Sequence, residues 1–212
     1  MLNTVWLGIS SYFSALKLLN TLRLWKYFAI PILISVLTGL LILLSAYSFY
    51  EIVGNKIALA WPFDWANETV SDISHIIGAL LILALGLILF KHLIMAFSAP
   101  FMSPVSEKIE AYFNGNNNLN NHSKSFSTTL ARGLRINIRN LAKEIMFVIP
   151  LLVLSLIPII GIFFSFLIFL VQAYYAGFGN MDYTLERHLD YKNSIAFVKK
   201  NRGLAIGNGT GF

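Results

Sequence analysis

The chain has no cysteine and little charge. None of its 212 residues is a cysteine, which excludes disulfides, thiol chemistry and cysteine-ligated metal sites. Charged side chains make up 12% of the sequence, about half the share of an ordinary soluble domain, whereas hydrophobic residues make up 57%. A soluble fold of this length cannot bury so much apolar surface. We therefore expect an all-α integral membrane protein whose excess apolar residues face lipid or other helices.

The sequence also lacks the motifs of common enzyme classes. Its four histidines are scattered, and none belongs to an H-E-x-x-H metal-binding motif. No phosphate-binding loop is present, so the chain is not expected to drive transport with ATP by itself. We expect a protein that is not an enzyme and that uses no cofactor and no metal.

Two long apolar segments predict transmembrane helices over residues 27–50 and 73–99. Each has the roughly 20 apolar residues that a bilayer requires. Pro100 and Pro104 then predict a break, followed by a separate amphipathic helix over 101–113. The acidic segment between the two spans contains Trp61 and Trp65, which predict an aromatic belt at the membrane interface.

An amphipathic helix is predicted at the start of the chain, over residues 5–19. Its apolar stripe repeats at three- and four-residue steps and consists of Trp6, Ile9, Phe13, Leu16 and Leu19. Such a helix lies along the membrane interface or packs on its own protein, and the sequence favours neither.

The polar stretch 114–125, NGNNNLNNHSKS, predicts a flexible linker. The helix that follows, from residue 126 to 144, places four basic residues on one face: Arg132, Arg135, Arg139 and Lys143. Basic residues in this arrangement line an anion pathway in some membrane proteins. In others they hold the anionic cytoplasmic leaflet, and this second interpretation is favoured by its frequency.

Residues 145–178 predict a membrane hairpin that turns back at 157–161, where Pro158 and Gly161 interrupt the apolar run. Its first arm is too short for an ordinary span, which favours a re-entrant hairpin over two spans. Asp182 and Arg187, which follow it, are expected to pair or cap locally. A tail helix is predicted over 191–202.

Basic residues predict the orientation. Residues 1–26 hold three, 124–143 hold five and the tail from Arg187 holds five, whereas 51–72 holds one against four acidic residues. The amino terminus, linker and tail should therefore be cytoplasmic. The net charge of +6 is concentrated beside apolar segments, which indicates membrane lipids as partners and not nucleic acid.

Several short segments resemble the CysZ-type sulfate permeases and the wider etoposide-induced 2.4 (EI24) family. They lie in order along the chain and are Ala99-Pro100-Phe101, Val105-Ser106-Glu107-Lys108, Ile157-Pro158-Ile159-Ile160-Gly161, Gly177-Phe178-Gly179-Asn180-Met181-Asp182-Tyr183 and Lys200-Asn201-Arg202-Gly203-Leu204-Ala205-Ile206-Gly207. The resemblance implies an inner-membrane protein with two true spans and membrane-embedded hairpins. It also implies a homo-oligomer that passes sulfate, or a similar small anion, into the cytoplasm.

The resemblance has two departures. The sulfate permeases carry a glycine-hydrophobic-arginine motif at the start of the first span, where it binds sulfate. Here the corresponding residues are Arg23-Leu24-Trp25-Lys26, so the glycine is replaced by Arg23 and the arginine by Trp25. Family members also continue with a further apolar hairpin, so we expect a fragment or a shortened relative. A non-transporting membrane scaffold or interaction protein of the same fold is therefore the alternative function.

Overall fold

The structure is a computed structural model that describes residues 2–59, 67–115, 125–155, 157 and 159–211. A short 3-10 helix at Leu24–Phe28 accompanies seven α-helices within these ranges, numbered α1 (Leu2–Thr21), α2 (Ala29–Ala58), α3 (Asn67–Asn114), α4 (Phe126–Ser155), α5 (Gly161–His188), α6 (Tyr191–Lys200) and α7 (Arg202–Gly209). No strand occurs among the described residues, and the all-α class is confirmed. The predicted tryptophan belt and most of the predicted linker lie outside the described residues.

Three helical segments are long and apolar enough to cross a membrane: Leu24–Ala58, Thr69–Asn114 and Gly161–His188. The first two contain the predicted spans. The third is the second arm of the predicted hairpin. These segments confirm a multi-pass membrane protein, since about 20 apolar residues suffice to cross the hydrocarbon core.

α3 runs without interruption through Pro100 and Pro104, so the predicted break and the separate helix over 101–113 are wrong. Pro100 has no N–H to offer the carbonyl of Ala96 four residues earlier. α4 packs closely at this point: a Cβ on Gly133 would lie 3.0 Å from that carbonyl oxygen and 2.8 Å from Ala99 Cβ. Prolines are tolerated in membrane helices where a neighbouring helix supports them.

The turn between α4 and α5 falls where the hairpin turn was predicted. Gly161 begins α5, and its N–H donates to the Ile157 carbonyl at 2.8 Å. Ile159 has a φ of +73°, which is unusual for a β-branched residue. A side chain at Gly161 would collide with the Ser155 carbonyl, so this tight reversal requires glycine.

The chain forms two compact units. One comprises Met1–Ile32 with His92–Phe212, and the other comprises Leu33–Lys91. In the smaller unit, α2 and α3 pack through facing glycines: a Cβ on Gly78 would lie 2.8 Å from the Gly54 nitrogen. His75 Nε2 and Asn55 Oδ1 are hydrogen-bonded at 2.9 Å in the same unit.

In the larger unit, α5 lies between α4 and α7. The core there is formed by Ile136, Phe178, Leu185, Val198 and Ala205. The α5–α7 contact is a backbone contact: a Cβ on Gly177 would collide with the Ala205 carbonyl, and one on Gly209 with the Ala173 carbonyl. Only hydrogen fits at these two positions, which is how glycine lets membrane helices approach closely.

α7 was not predicted as a separate helix. The predicted tail helix is divided at Asn201, and the glycine-rich segment after it is helical. Glycine weakens an isolated helix by about 1 kcal/mol per residue, so local propensity argues against this one. Close packing on both sides compensates for that cost.

α1 packs on α7 through its smallest residue, Gly8, and turns Trp6 and Phe13 outward. A Cβ on Gly8 would lie 2.7 Å from the Asn208 nitrogen, and Tyr12 donates a hydrogen bond to the Asn208 carbonyl. Burial raises the pKa of the Tyr12 hydroxyl. Trp6 is 68% and Phe13 73% exposed. Of the two placements considered for this helix, packing on its own protein is observed, and the aromatic face remains free for the membrane interface.

We expect Gly177→Ala and Gly209→Ala each to lower the free energy of unfolding by about 2 kcal/mol, because overpacking a close contact costs roughly that much. The transition midpoint, followed by tryptophan fluorescence during heating in detergent, should fall by about 4–8 °C. Gly39→Ala is the matched control, since its Cβ would meet nothing closer than 3.8 Å. Equal midpoints for all three variants would contradict the backbone contact between α5 and α7.

Candidate anion-binding site

Arg23, Leu24, Trp25 and Lys26, which are compared above with the sulfate motif, lie in a turn and the 3-10 helix that follows α1. Arg23 lies two residues after α1 and directly before the 3-10 helix, with φ 51° and ψ 44°, the left-handed conformation that glycine adopts most easily. For a residue with a side chain this conformation costs roughly 1–2 kcal/mol. Leu24 is buried with Leu19 and Val105 and anchors the turn. The backbone conformation that favours glycine is therefore present, although glycine is not.

This turn presents cationic side chains at the start of a 3-10 helix. Arg23, Trp25 and Lys26 are exposed. No side chain caps the 3-10 helix that starts at Leu24. Lys26 and Lys108 lie 5.5 Å and 5.2 Å from the centre of the Tyr27 ring. Exposed guanidinium and ammonium groups in this arrangement are suited to a small oxyanion.

Trp25 holds the turn and does not replace the missing arginine. Its indole Nε1 donates to Asn20 Oδ1 at 2.6 Å, and its ring lies 5.9 Å from that of Phe28. An indole supplies one neutral donor, whereas a guanidinium supplies five donors and a positive charge. The positive charge at this turn therefore comes from Arg23, Lys26 and Lys108.

The basic face of α4 divides into two pairs. Arg132 binds Asp182 with two hydrogen bonds, of 3.1 Å from Nε and 2.9 Å from Nη2, and also donates to Ser194 Oγ at 2.7 Å. Arg135 lies over the Tyr191 ring at 4.0 Å. These two arginines hold α5 and α6 against α4, and the charge of Arg132 is balanced by a carboxylate.

Arg139 and Lys143 line a cavity of about 640 Å³ between α4, α5 and the end of the chain. Lys199 and Arg202 line it as well, and neither was among the predicted site residues. Their only signal in the sequence is a basic helix end, which is also a common topology signal. Neither Arg23 nor Lys26 lines this cavity.

Sequence reasoning also missed several buried polar pairs. His92 and Glu144 are bonded at 2.9 Å with side chains 3% and 0% exposed, and Ser103 donates to Glu186 at 2.6 Å. The expected local pairing of Asp182 and Arg187 is wrong, since Asp182 binds Arg132 and Arg187 binds Glu110 at 2.6 Å. Helix residues five apart point in different directions, whereas those three or four apart are neighbours.

The described part of the chain contains no cluster of three or more histidine, aspartate or glutamate side chains that could hold a metal ion. Its paired carboxylates are bound to arginine, histidine or serine. These contacts join different helices and are structural in character.

Residues 11–212 match a known sequence family, described as Sulfate transporter CysZ/Etoposide-induced protein 2.4. The chain belongs to this family. The resemblance drawn from its short segments is therefore confirmed over nearly the whole length. A comparison with curated proteins found no match. Membership of a transporter family together with the apolar helices establishes a multi-pass membrane protein of the CysZ/EI24 type.

The left-handed turn gives a stability prediction. Arg23→Gly should be at least as stable as the unmodified protein, because glycine adopts this conformation without a steric penalty. Arg23→Val should be less stable than Arg23→Gly by about 1–2 kcal/mol. Thermal unfolding in detergent measures the difference.

The matched control is the same pair of substitutions at Lys26, which lies within the 3-10 helix and has no positive φ. Glycine should give no advantage over valine there. Equal stability of Arg23→Gly and Arg23→Val would show that the backbone at Arg23 is not held in the left-handed conformation.

Proposed function

We propose that the protein is an anion permease of the inner (plasma) membrane that carries sulfate into the cytoplasm as a homo-oligomer. Family membership supports the class of protein. The absence of a phosphate-binding loop from the sequence supports transport without ATP hydrolysis by this chain.

The observation that carries this proposal is the turn at Arg23. It occupies the position of the family's sulfate motif and has the left-handed backbone that the motif's glycine would favour. Three cations at or beside this turn, Arg23, Lys26 and Lys108, supply donors and charge. Sulfate is a divalent anion with four acceptor oxygens, so it fits such a set of donors.

The distribution of basic residues supports an orientation with the amino terminus and the tail in the cytoplasm. In that orientation the Arg23 turn lies at the cytoplasmic end of the first span, where an imported anion leaves the membrane. α2 has many exposed apolar side chains, such as Leu33, Leu40 and Leu44, which favours contact with lipid or with further copies of the chain.

Sulfate uptake into proteoliposomes tests the proposal. Protein from the complete open reading frame should accumulate radiolabelled sulfate above the level of empty liposomes. We expect Arg23→Ala/Lys26→Ala to lower the initial rate at least about tenfold, because each lost charged hydrogen bond contributes about 1.5–3 kcal/mol. Lys56→Ala, at the opposite end of α2, removes a similar charge and should leave the rate unchanged.

Uptake equal to that of empty liposomes, by protein shown to be folded and inserted, would overturn the permease proposal and favour the non-transporting scaffold. Uptake that falls equally in Lys56→Ala and in the double variant would place the anion contacts elsewhere. Competition by unlabelled chloride as strong as by unlabelled sulfate would contradict the choice of sulfate.

A further inference from the structure

The cavity in the larger unit is polar at one end and apolar at the other. Along α4 its lining residues recur every four positions as Arg139, Lys143, Phe147 and Leu151. This distance corresponds to about 18 Å of helix, at 1.5 Å per residue. The two cations therefore lie above the two apolar side chains on one face of the helix.

α5 repeats this order. Leu167 and Leu170 lie nearer the α4–α5 turn, whereas Tyr174 and Tyr175 lie farther along α5. Since α4 and α5 are joined by a short turn, the tyrosines are on the same side as the cations of α4. Arg139 confirms this register, because its guanidinium lies 5.2 Å from the centre of the Phe178 ring in the next turn of α5.

Lys199 and Arg202 complete the polar end from α6 and α7. Arg139 and Arg202 are both close enough to the Tyr174 hydroxyl to interact with it electrostatically. No acidic residue lines the cavity, and Lys143 and Lys199 form no ion pair within the described ranges. The nearest carboxylate is that of Glu144, which interacts with Tyr175 but is buried and bonded to His92. Four cations at the polar end therefore face one buried carboxylate, and positive charge is in excess there.

We propose that this cavity binds one anionic phospholipid, with the phosphate between Arg139, Lys143, Lys199 and Arg202 and an acyl chain along Phe147, Leu151 and Leu167. The charge of the polar end matches a phosphodiester, for which arginine and lysine are the usual partners. The apolar part extends about 6 Å along α4 from Phe147 to Leu151, which suits the first part of an acyl chain. The anionic cytoplasmic leaflet supplies such lipids in the orientation proposed above.

Two other occupants fit less well. A free inorganic anion would use only the polar end and would leave the apolar walls in contact with water, which is unfavourable. A second copy of the chain, placed symmetrically on this surface, would bring the four cations opposite four cations. The lipid satisfies both ends of the cavity.

Native mass spectrometry of the purified protein with added lipid tests this inference. We expect phosphatidylglycerol to be retained at least tenfold more than phosphatidylcholine with the same acyl chains. A variant with Arg139→Gln, Lys143→Gln, Lys199→Gln and Arg202→Gln should retain the two lipids equally. Leu170→Trp, which fills the apolar part and leaves every cation in place, should also reduce phosphatidylglycerol retention severalfold.

The matched control removes the same charge elsewhere, by Lys17→Gln, Lys56→Gln, Lys192→Gln and Lys200→Gln, and should keep the preference for phosphatidylglycerol. If the fourfold cavity variant does not fold, Lys143→Gln/Lys199→Gln, at two exposed positions, replaces it. Equal retention of both lipids by the unmodified protein, or equal loss in the control variant, would overturn the inference.

Inorganic sulfate or phosphate at millimolar concentration should leave phosphatidylglycerol bound. Displacement of the lipid by these ions, together with no effect of Leu170→Trp, would show that the polar end binds inorganic anions only. This experiment measures lipid binding, so its outcome is independent of whether the protein takes up sulfate.

Discussion

The close contact of α7 with α5 and α1 is the constraint on which the larger unit depends. Gly177 and Gly209 leave no space for a side chain between α5 and α7, and Gly207 meets the carbonyl of Val5 in α1 in the same way. Lipid tails are as apolar as leucine, so membrane helices gain little from burying apolar side chains and depend on close packing instead. Because α7 is fixed in this way, Arg202 stays at the polar end of the cavity.

Buried charges add a second constraint. Arg132 of α4 donates hydrogen bonds to Asp182 in α5, to the Leu189 carbonyl between α5 and α6, and to Ser194 in α6. The Glu144 carboxylate of α4 is bonded to His92 in α3. Removing one partner of such a pair leaves a buried charge or donor without compensation, which is more costly than exposing an apolar side chain. These pairs therefore specify which faces of the helices meet. The glycine contacts specify how closely they approach.

Much of the fold could be predicted from hydropathy and from the positions of proline and glycine. The two long spans, the turn at 157–161 and the starts of α4 and α6 follow from apolar runs, proline and glycine. The continuity of α3 through Pro100 could not be predicted, because it depends on the packing of α4 against α3. α7 could not be predicted either, since glycine destabilises an isolated helix. Here glycine instead allows the neighbouring helices to pack closely against α7, and that packing stabilises it.

The candidate site was predicted in part. Arg23 and Lys26 were identified through the family motif, whereas the left-handed conformation of Arg23 can be seen only in the structure. Arg139 was identified through the basic face of α4. Arg132 lies on the same face but is bound in an ion pair, and this difference depends on partners more than 40 residues away, such as Asp182. Side-chain periodicity places residues on a helix face and does not say which neighbour that face meets.

Equilibrium binding of radiolabelled sulfate to the purified protein, at low ionic strength in detergent, is the most direct test of the central claim that the Arg23 turn is an anion site. The account predicts saturable binding that is lost in Arg23→Ala/Lys26→Ala and retained in Lys56→Ala. Binding that the double variant keeps in full, or an absence of binding by the folded unmodified protein, would contradict it.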